Sequence, residues 1–97
     1  MSADPIERTS WPKVVAAFTA FFEGMGEVRT DADRASFESD VTGLSVSSDG
    51  TSRSFMPLHD LNLTWEAIRF DTERFEVRLE GAGGTYTYVV PPNLRPS

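Results

Sequence analysis

Residues 68–90 read IRFDTERFEVRLEGAGGTYTYVV, and this stretch decides the fold. Apolar residues occupy every second position from Phe75 to Leu79, and Arg or Glu occupies the positions between them. Because successive side chains of a strand point to opposite faces, this alternation predicts a strand with one buried and one solvated face. The residues GAGG separate it from a second alternating run, which ends at Pro91 and Pro92. The pattern predicts a β-hairpin.

The hairpin has one register that places its apolar side chains together. Pairing Glu80 with Thr85 gives three further pairs: Leu79 with Tyr86, Val77 with Tyr88, and Phe75 with Val90. All six side chains then lie on one face, as a sheet with one buried face requires.

A third strand precedes the hairpin. Folding the chain back over DTER pairs Phe70 with Phe75 and Ile68 with Val77, and places Arg69 opposite Glu76 on the outer face. We interpret the outward Arg and Glu residues as a solvated face carrying salt bridges, with a recognition surface as the alternative.

Residues 9–27, TSWPKVVAAFTAFFEGMGE, predict an amphipathic helix ahead of the strands. Ser10 or Thr9 can cap its first free amides, and Pro12 is tolerated in the first turn because its missing N–H costs nothing there. Glycines after Glu23 supply a stop. At 100° per residue, one stripe collects Trp11, Val14, Val15, Phe18, Phe21, Phe22 and Met25. We expect this stripe to lie on the protein's own sheet. A partner groove is the alternative, and the single lysine of the polar face argues against anionic lipid.

The segment between helix and hairpin has two changes of phase. Residues 28–34 are polar and predict a connection, and residues 35–46 alternate with an apparent extra residue at Thr42–Gly43. Residues 61–70 alternate with a second slip near Glu66–Ala67. We interpret both slips as β-bulges, which insert one residue and restore the facing.

Further strand signals lie around residue 50. Asp49-Gly50 favours a two-residue hairpin turn, because both positions tolerate positive φ. The strand that follows covers Arg53–Met56 and is closed by Pro57.

The chain has 97 residues, which suit one domain, 1–97. We predict an α+β fold in which one N-terminal amphipathic helix packs on an antiparallel β-meander of four to five strands. Residues 1–9 and 91–97 are expected to be flexible tails. A partly closed small barrel is the alternative architecture.

Composition narrows the functional classes. Fifteen acidic and nine basic residues give a formal net charge of −6, and the basic residues are scattered, so nucleic acid and anionic membrane are poor partners. This acid-rich, lysine-poor balance is typical of proteins from salt-loving archaea and also of those from GC-rich genomes. The chain has no cysteine, and its uncharged run Val14–Phe22 is far shorter than the ~20 residues of a membrane span. We therefore expect a soluble, cytoplasmic protein.

Residues 57–61, PLHDL, hold the single histidine, His59, beside Asp60. General base catalysis needs a third group and a pocket as well, and the sequence supplies no nucleophile elbow for one. Metal sites of the HD type need several histidines. We interpret PLHD as a loop between strands and predict no catalytic residue, no metal site and no cofactor.

Two functions remain open. The first is a non-enzymatic protein–protein interaction or self-association module, because an open meander leaves two edges with unpaired amides and a dimer would cover them. The second is a small-molecule binding domain or minor enzyme with a cavity between helix and sheet. Its candidate ligand-binding residues are His59, Trp65, Phe70, Tyr86 and Tyr88.

Overall fold

The computed structural model describes residues 4–40, 42–53 and 64–94 with their side chains, and residues 54–56 and 59–61 as backbone. These residues contain the helix α1, Trp11–Phe22, and a short 3-10 turn at Pro92–Leu94. The strands are β1 (Ile6–Glu7), β2 (Glu27–Thr30), β3 (Arg34–Glu38), β4 (Gly43–Ser47), β5 (Ser52–Met56), β6 (His59–Leu61), β7 (Ala67–Asp71), β8 (Glu76–Gly81) and β9 (Gly84–Val89).

The strands form two antiparallel sheets. A five-stranded sheet has the order β2-β3-β4-β5-β6, which is a meander in chain order. A four-stranded sheet has the order β1-β7-β8-β9, a second meander to which the N-terminal strand β1 is added. The predicted α+β class is confirmed, and the strands divide between two sheets.

The apolar stripe of α1 is buried as predicted. The helix starts after Ser10, whose side chain makes no capping hydrogen bond, and Pro12 lies in its first turn. Beyond the helix, Gly24 has a φ of 82°, a left-handed conformation that glycine adopts without strain. The fully or nearly fully buried residues of the stripe are Val14, Phe18, Phe21, Phe22 and Met25.

Aromatic rings of the helix contact both sheets. Phe22 stacks on Phe37 of β3 with ring centroids 4.2 Å apart, and it meets Tyr88 of β9 edge-on at 6.2 Å. Phe18 packs against Phe70 of β7 at 6.2 Å. We call these five residues the aromatic centre. Because it joins α1 to both sheets, it holds the three layers in one core.

The β8–β9 register agrees with the prediction at every pair. Leu79 lies opposite Tyr86 and Val77 opposite Tyr88, and the turn closes between Gly81 and Gly84. The strict alternation and the short turn leave no second register that buries the same side chains.

The predicted β7–β8 register was wrong by two residues. Phe70 pairs with Val77 rather than Phe75, because the turn takes up residues 72–75. The Asp71 carboxylate accepts hydrogen bonds from the amides of Glu73 and Arg74, both at 3.0 Å. Phe75 adopts a left-handed φ of 54°. A shift of two keeps every side chain on its predicted face.

Of the two predicted bulges, the one at Thr42–Gly43 is wrong, and the one near Glu66–Ala67 has the hydrogen bonds of a bulge. The phase change at Thr42–Gly43 is the turn between β3 and β4, where the Ser39 amide donates to the Thr42 carbonyl at 2.9 Å. At Glu66–Ala67 the Glu66 amide donates to the Glu80 carbonyl at 2.7 Å while Ala67 pairs with Glu80, so two residues oppose one residue of β8, as in the predicted bulge. A turn and a bulge shift the phase of an alternating sequence in the same way, so the pattern did not distinguish them at Thr42–Gly43.

Two segments taken as non-strand pair with neighbours. Residues 28–34 were predicted to be a connection, but Glu27–Thr30 forms β2 against β3. Within the predicted N-terminal tail, Ile6–Glu7 forms β1 against β7. Asp49 and Gly50 do lie in the turn between β4 and β5, and Gly50 has a φ of 98°, but Ser47 pairs with Thr51, so the loop has three residues rather than the predicted two.

Candidate functional site

The outer edge of β9 is the candidate site. This strand pairs with β8 on one side and is the last strand of its sheet. The Val90 amide donates to the Phe75 carbonyl at 2.9 Å. Because hydrogen-bonded and non-hydrogen-bonded pairs alternate along an antiparallel ladder, the backbone groups of Thr85, Thr87 and Val89 must point away from β8.

These outward-facing groups are unpaired. Throughout the described ranges, no hydrogen bond engages the amide or the carbonyl of Thr85, Thr87 or Val89. An unpaired row of alternating donors and acceptors is a template on which another extended chain can form a ladder.

The side chains beside this row are small, uncharged or apolar. Val89 is 41% exposed, and it is the large hydrophobic residue that stands out on the described surface. Thr85 is exposed and Thr87 is half-buried. Charged residues, lysine above all, and proline commonly protect an edge strand from pairing. The strand GTYTYV contains none of them. Pro91 follows only after the strand has ended.

Charged residues lie on β7 and β8, behind the edge strand β9. Arg69 of β7 donates to the Glu80 carboxylate of β8 at 2.6 Å, a half-exposed ion pair on the outer face. On β8, Arg78 lies opposite Thr87 and Glu76 opposite Val89. A strand added to β9 would therefore meet a neutral row first and a mixed-charge row behind it.

A buried hydrogen bond fixes β9 to the other sheet. The hydroxyls of Tyr88 and Thr42 share a hydrogen bond of 2.8 Å, and both residues are buried. Burial raises the pKa of the Tyr88 phenol above its usual value, and the hydrogen bond from Thr42 partly opposes this rise. The edge is thus held by its inner face while its outer backbone is free.

The structure places three of the predicted ligand-binding residues in the core. Trp65 and Tyr88 are 0% exposed and Phe70 is 6% exposed. The Trp65 indole donates to the Thr51 carbonyl at 3.1 Å, and its ring lies 6.4 Å from that of Trp11. Phe70 contacts helix α1 instead. These rings fill the space between helix and sheet in which the predicted ligand cavity would lie.

The two other predicted residues lie elsewhere. Tyr86 is half-buried on the inner face of β9. His59 and Asp60 were interpreted as loop residues, and this was wrong because both belong to β6, paired with Met56 and Phe55. The connection between β5 and β6 is residues 57–58, outside the described residues, as are the side chains of His59 and Asp60. A ligand-binding role for the five residues stays a prediction.

Two surface hollows lie near the end of α1. One, of about 650 Å³, is lined largely by polar and acidic groups, among them Glu27, Glu38 and Asp40. The other, of about 390 Å³, is lined by Phe21, Phe75 and their neighbours. Within residues 4–40, 42–56, 59–61 and 64–94, no group of three or more His, Asp or Glu side chains is placed to hold a metal ion.

No helix in the described part of the chain combines the length and the apolar character that crossing a membrane requires. No family model, curated protein or solved structure matches the chain.

Sequence reasoning predicted unpaired edges without naming the strand that carries one. The signal was present in GTYTYV, an uncharged strand that Val90 separates from Pro91 and Pro92. Charged residues and prolines within a strand commonly protect an edge from pairing, and this strand has neither.

Proposed function

We propose that this domain is a non-enzymatic binding module that recognises protein through the free edge of β9. An extended segment, from a protein partner or from a second copy, would add to the four-stranded sheet. The observation that carries this proposal is the row of unpaired backbone groups at Thr85, Thr87 and Val89 beside the exposed side chain of Val89.

In strand addition, the backbone and the side chains of the edge have different roles. The main-chain hydrogen bonds supply affinity, and the alternate side chains supply specificity. Each hydrogen bond contributes a net ~0.5–1.5 kcal/mol, so a row of this length supports binding without a deep pocket. An uncharged edge accepts segments of either sign, while the net charge of −6 disfavours nucleic acid.

The edge is also prepared for binding before a partner arrives. The hydrogen bond between Tyr88 and Thr42 holds β9 against the second sheet. Rigid edges lose less conformational entropy on pairing than flexible ones. The proposal places the module in the cytoplasm, where a cysteine-free acidic chain is ordinary.

Peptide display tests the proposal. A library of random heptapeptides is selected on the wild-type domain and, separately, on the variant Thr87→Pro. Proline removes an outward amide of β9 without removing a hydrogen bond to β8, so the fold should persist. We expect enriched peptides with alternating β-branched residues, bound about two- to tenfold more weakly by the variant because a ladder hydrogen bond is lost.

Thr30→Pro is the matched control. Thr30 of β2 also presents an outward amide, since the neighbouring Asp31 amide is the one that pairs with Arg34. The control should leave peptide binding unchanged. In the wild type, bound peptide should protect the amides of Thr85, Thr87 and Val89 from hydrogen exchange. Peptides that bind Thr87→Pro as tightly as wild type would refute the proposal.

A further inference from the structure

We infer that the edge of β9 pairs with a second copy of itself, in antiparallel orientation about a two-fold axis at Thr87. This inference rests on the proposed function and names its partner. It follows from the register that the outward-facing groups allow, from the chemistry of the strand, and from the properties of the other edges.

The two-fold register pairs every outward-facing backbone group of β9 with the partner strand. It sets Thr87 opposite the partner's Thr87, and Thr85 opposite the partner's Val89 on both sides of the axis. Each of these is a hydrogen-bonded pair, which exchanges two bonds. Every outward amide and carbonyl of Thr85, Thr87 and Val89 is then satisfied in both copies.

The facing side chains are compatible. Threonine opposite threonine and valine opposite threonine are pairs that stabilise adjacent strands. The exposed side chain of Val89 gains a neighbour, and half-buried Tyr86 is covered by the partner's strand on the inner face. Neither strand carries a charge, so no like charges meet across the axis.

Charge argues for this edge rather than for another surface. Two copies that each carry −6 repel where acidic surfaces meet, and β9 offers a contact row without acids. Each of the remaining sheet edges is shorter. β1 has two residues, β6 has three, and β2 has four with charges at Glu27 and Arg29.

The pairing would join two four-stranded sheets into one continuous sheet. A single pair of short strands buries less than the ~1,200 Å² typical of stable interfaces. We therefore expect a concentration-dependent dimer with a Kd of about 10⁻⁵–10⁻³ M.

Charge-swap variants at the two-fold axis test the inference. Sedimentation velocity is run on the wild type, on Thr87→Lys, on Thr87→Glu and on an equal mixture of the two variants. Each variant alone places like charges opposite each other and should raise the Kd about two- to fivefold. The mixture should restore a heterodimer, visible by native mass spectrometry, because lysine then faces glutamate.

Thr30→Lys is the control, a similar charge change on the edge of the other sheet, and it should leave the Kd unchanged. Thermal melts establish that each variant is folded. A wild type that stays monomeric at ~1 mM overturns the inference, since the expected Kd lies at or below this value. Undiminished dimerisation of Thr87→Lys, or a mixture that fails to recover a heterodimer, also overturns it.

The two proposals fail separately. A monomeric wild type that still binds displayed peptides, and loses them on Thr87→Pro, overturns self-pairing and leaves the proposed function standing. Peptide binding that ignores Thr87→Pro removes the proposed function itself.

Discussion

The aromatic centre and the edge of β9 are contrasting regions of one small protein. In the centre, Phe18 and Phe22 of the helix contact rings from both sheets at centroid distances of 4.2–6.2 Å, and all are buried. At the edge, backbone groups are unpaired and Val89 is 41% exposed. Tyr88 belongs to both regions, because its ring lies in the centre while its strand forms the edge.

Under the proposed function, this difference separates the residues that stabilise the fold from those that bind a partner. Burial of apolar surface supplies most of the folding free energy of a domain, so the centre should control unfolding. The unpaired groups of β9 contribute little to folding, and their hydrogen bonds become available to a partner. Truncating a side chain of the centre should therefore cost more stability than truncating an exposed side chain of the edge.

The largest loss of stability is expected for Phe22→Ala. Phe22 is fully buried and contacts Phe18, Phe37 and Tyr88, so truncation leaves a cavity between the two sheets. We expect the free energy of unfolding to fall by ~3–5 kcal/mol, measured by urea denaturation. Val89→Ala is the matched control at an exposed position and should change it by less than ~0.5 kcal/mol. Similar losses in the two variants would break the comparison.

A smaller loss is expected for Gly81→Ala, at the base of the β8–β9 hairpin. A Cβ at this position would overlap the backbone carbonyl of Thr64, which crosses the end of β8. The backbone must move to accept the methyl group, and we expect a cost of ~1–3 kcal/mol in urea denaturation. Thr85→Ala, in the same hairpin and exposed, serves as control. An unchanged stability of Gly81→Ala would show that the 64–65 segment is free to shift.

The third substitution, Tyr88→Phe, acts where centre and edge meet. It removes the hydrogen bond to Thr42 and leaves that buried hydroxyl without its partner, at a cost of ~1–2 kcal/mol. A double-mutant cycle with Thr42→Val should show coupling, because the second substitution removes the unpaired group. Additive losses would mean that the bond contributes nothing specific.

Tyr88 also predicts a pH dependence. Its folded-state pKa is raised by burial, so the neutral phenol favours the folded state. This contribution is complete below the unfolded pKa of about 10 and is lost as the pH rises through the folded value. Tyr88→Phe should therefore weaken the loss of stability above about pH 10, measured by urea denaturation at a series of pH values. An alkaline profile of Tyr88→Phe equal to that of the wild type would contradict the assignment to Tyr88.

The sequence predicted those elements for which the spacing of apolar residues is compatible with a single structure. The stripe of α1 was predictable because the period of 3.6 residues and the breaker at Gly24 agree. The β8–β9 register was predictable because four alternating pairs and a short turn admit no slip. The β7–β8 register was missed by two residues, because the hydrogen bonds of Asp71 and the left-handed Phe75 lengthen the turn.

The division into two sheets lay beyond the sequence pattern. Strand β2 has one apolar residue, half-buried Val28, so its pairing depends on backbone hydrogen bonds that leave no periodic signal. The bulge at Glu66–Ala67 was predicted, but the alternation does not reveal that the chain passes there from one sheet to the other. The candidate edge was half predictable: unpaired edges follow from a meander, while the choice of β9 depends on which strands the two sheets leave outermost.

The smallest effect is expected at Asp49, in the β4–β5 turn. Its carboxylate accepts hydrogen bonds from the Thr51 amide at 2.9 Å and the Thr51 hydroxyl at 2.8 Å. The backbone bond is the first cause of the lowered pKa of Asp49, and the hydroxyl bond adds to it. A lowered folded-state pKa stabilises the fold above the unfolded value of about 4, and this stabilisation is lost as the pH falls through the folded value.

Asp49→Asn should therefore flatten the acid limb of the stability profile slightly below about pH 4. Urea denaturation at a series of pH values measures it. Asp33→Asn is the comparison variant: it removes another exposed acid, one whose backbone carbonyl accepts from the Ser48 amide of the same turn, without touching the hydrogen bonds to Thr51. Because Asp49 lies in the five-stranded sheet, away from the β9 ladder, neither variant should alter the dimer Kd. A shift in that Kd on Asp49→Asn would mean that the β4–β5 turn takes part in self-pairing, and the contrast between a stabilising centre and a single binding edge would have to be redrawn.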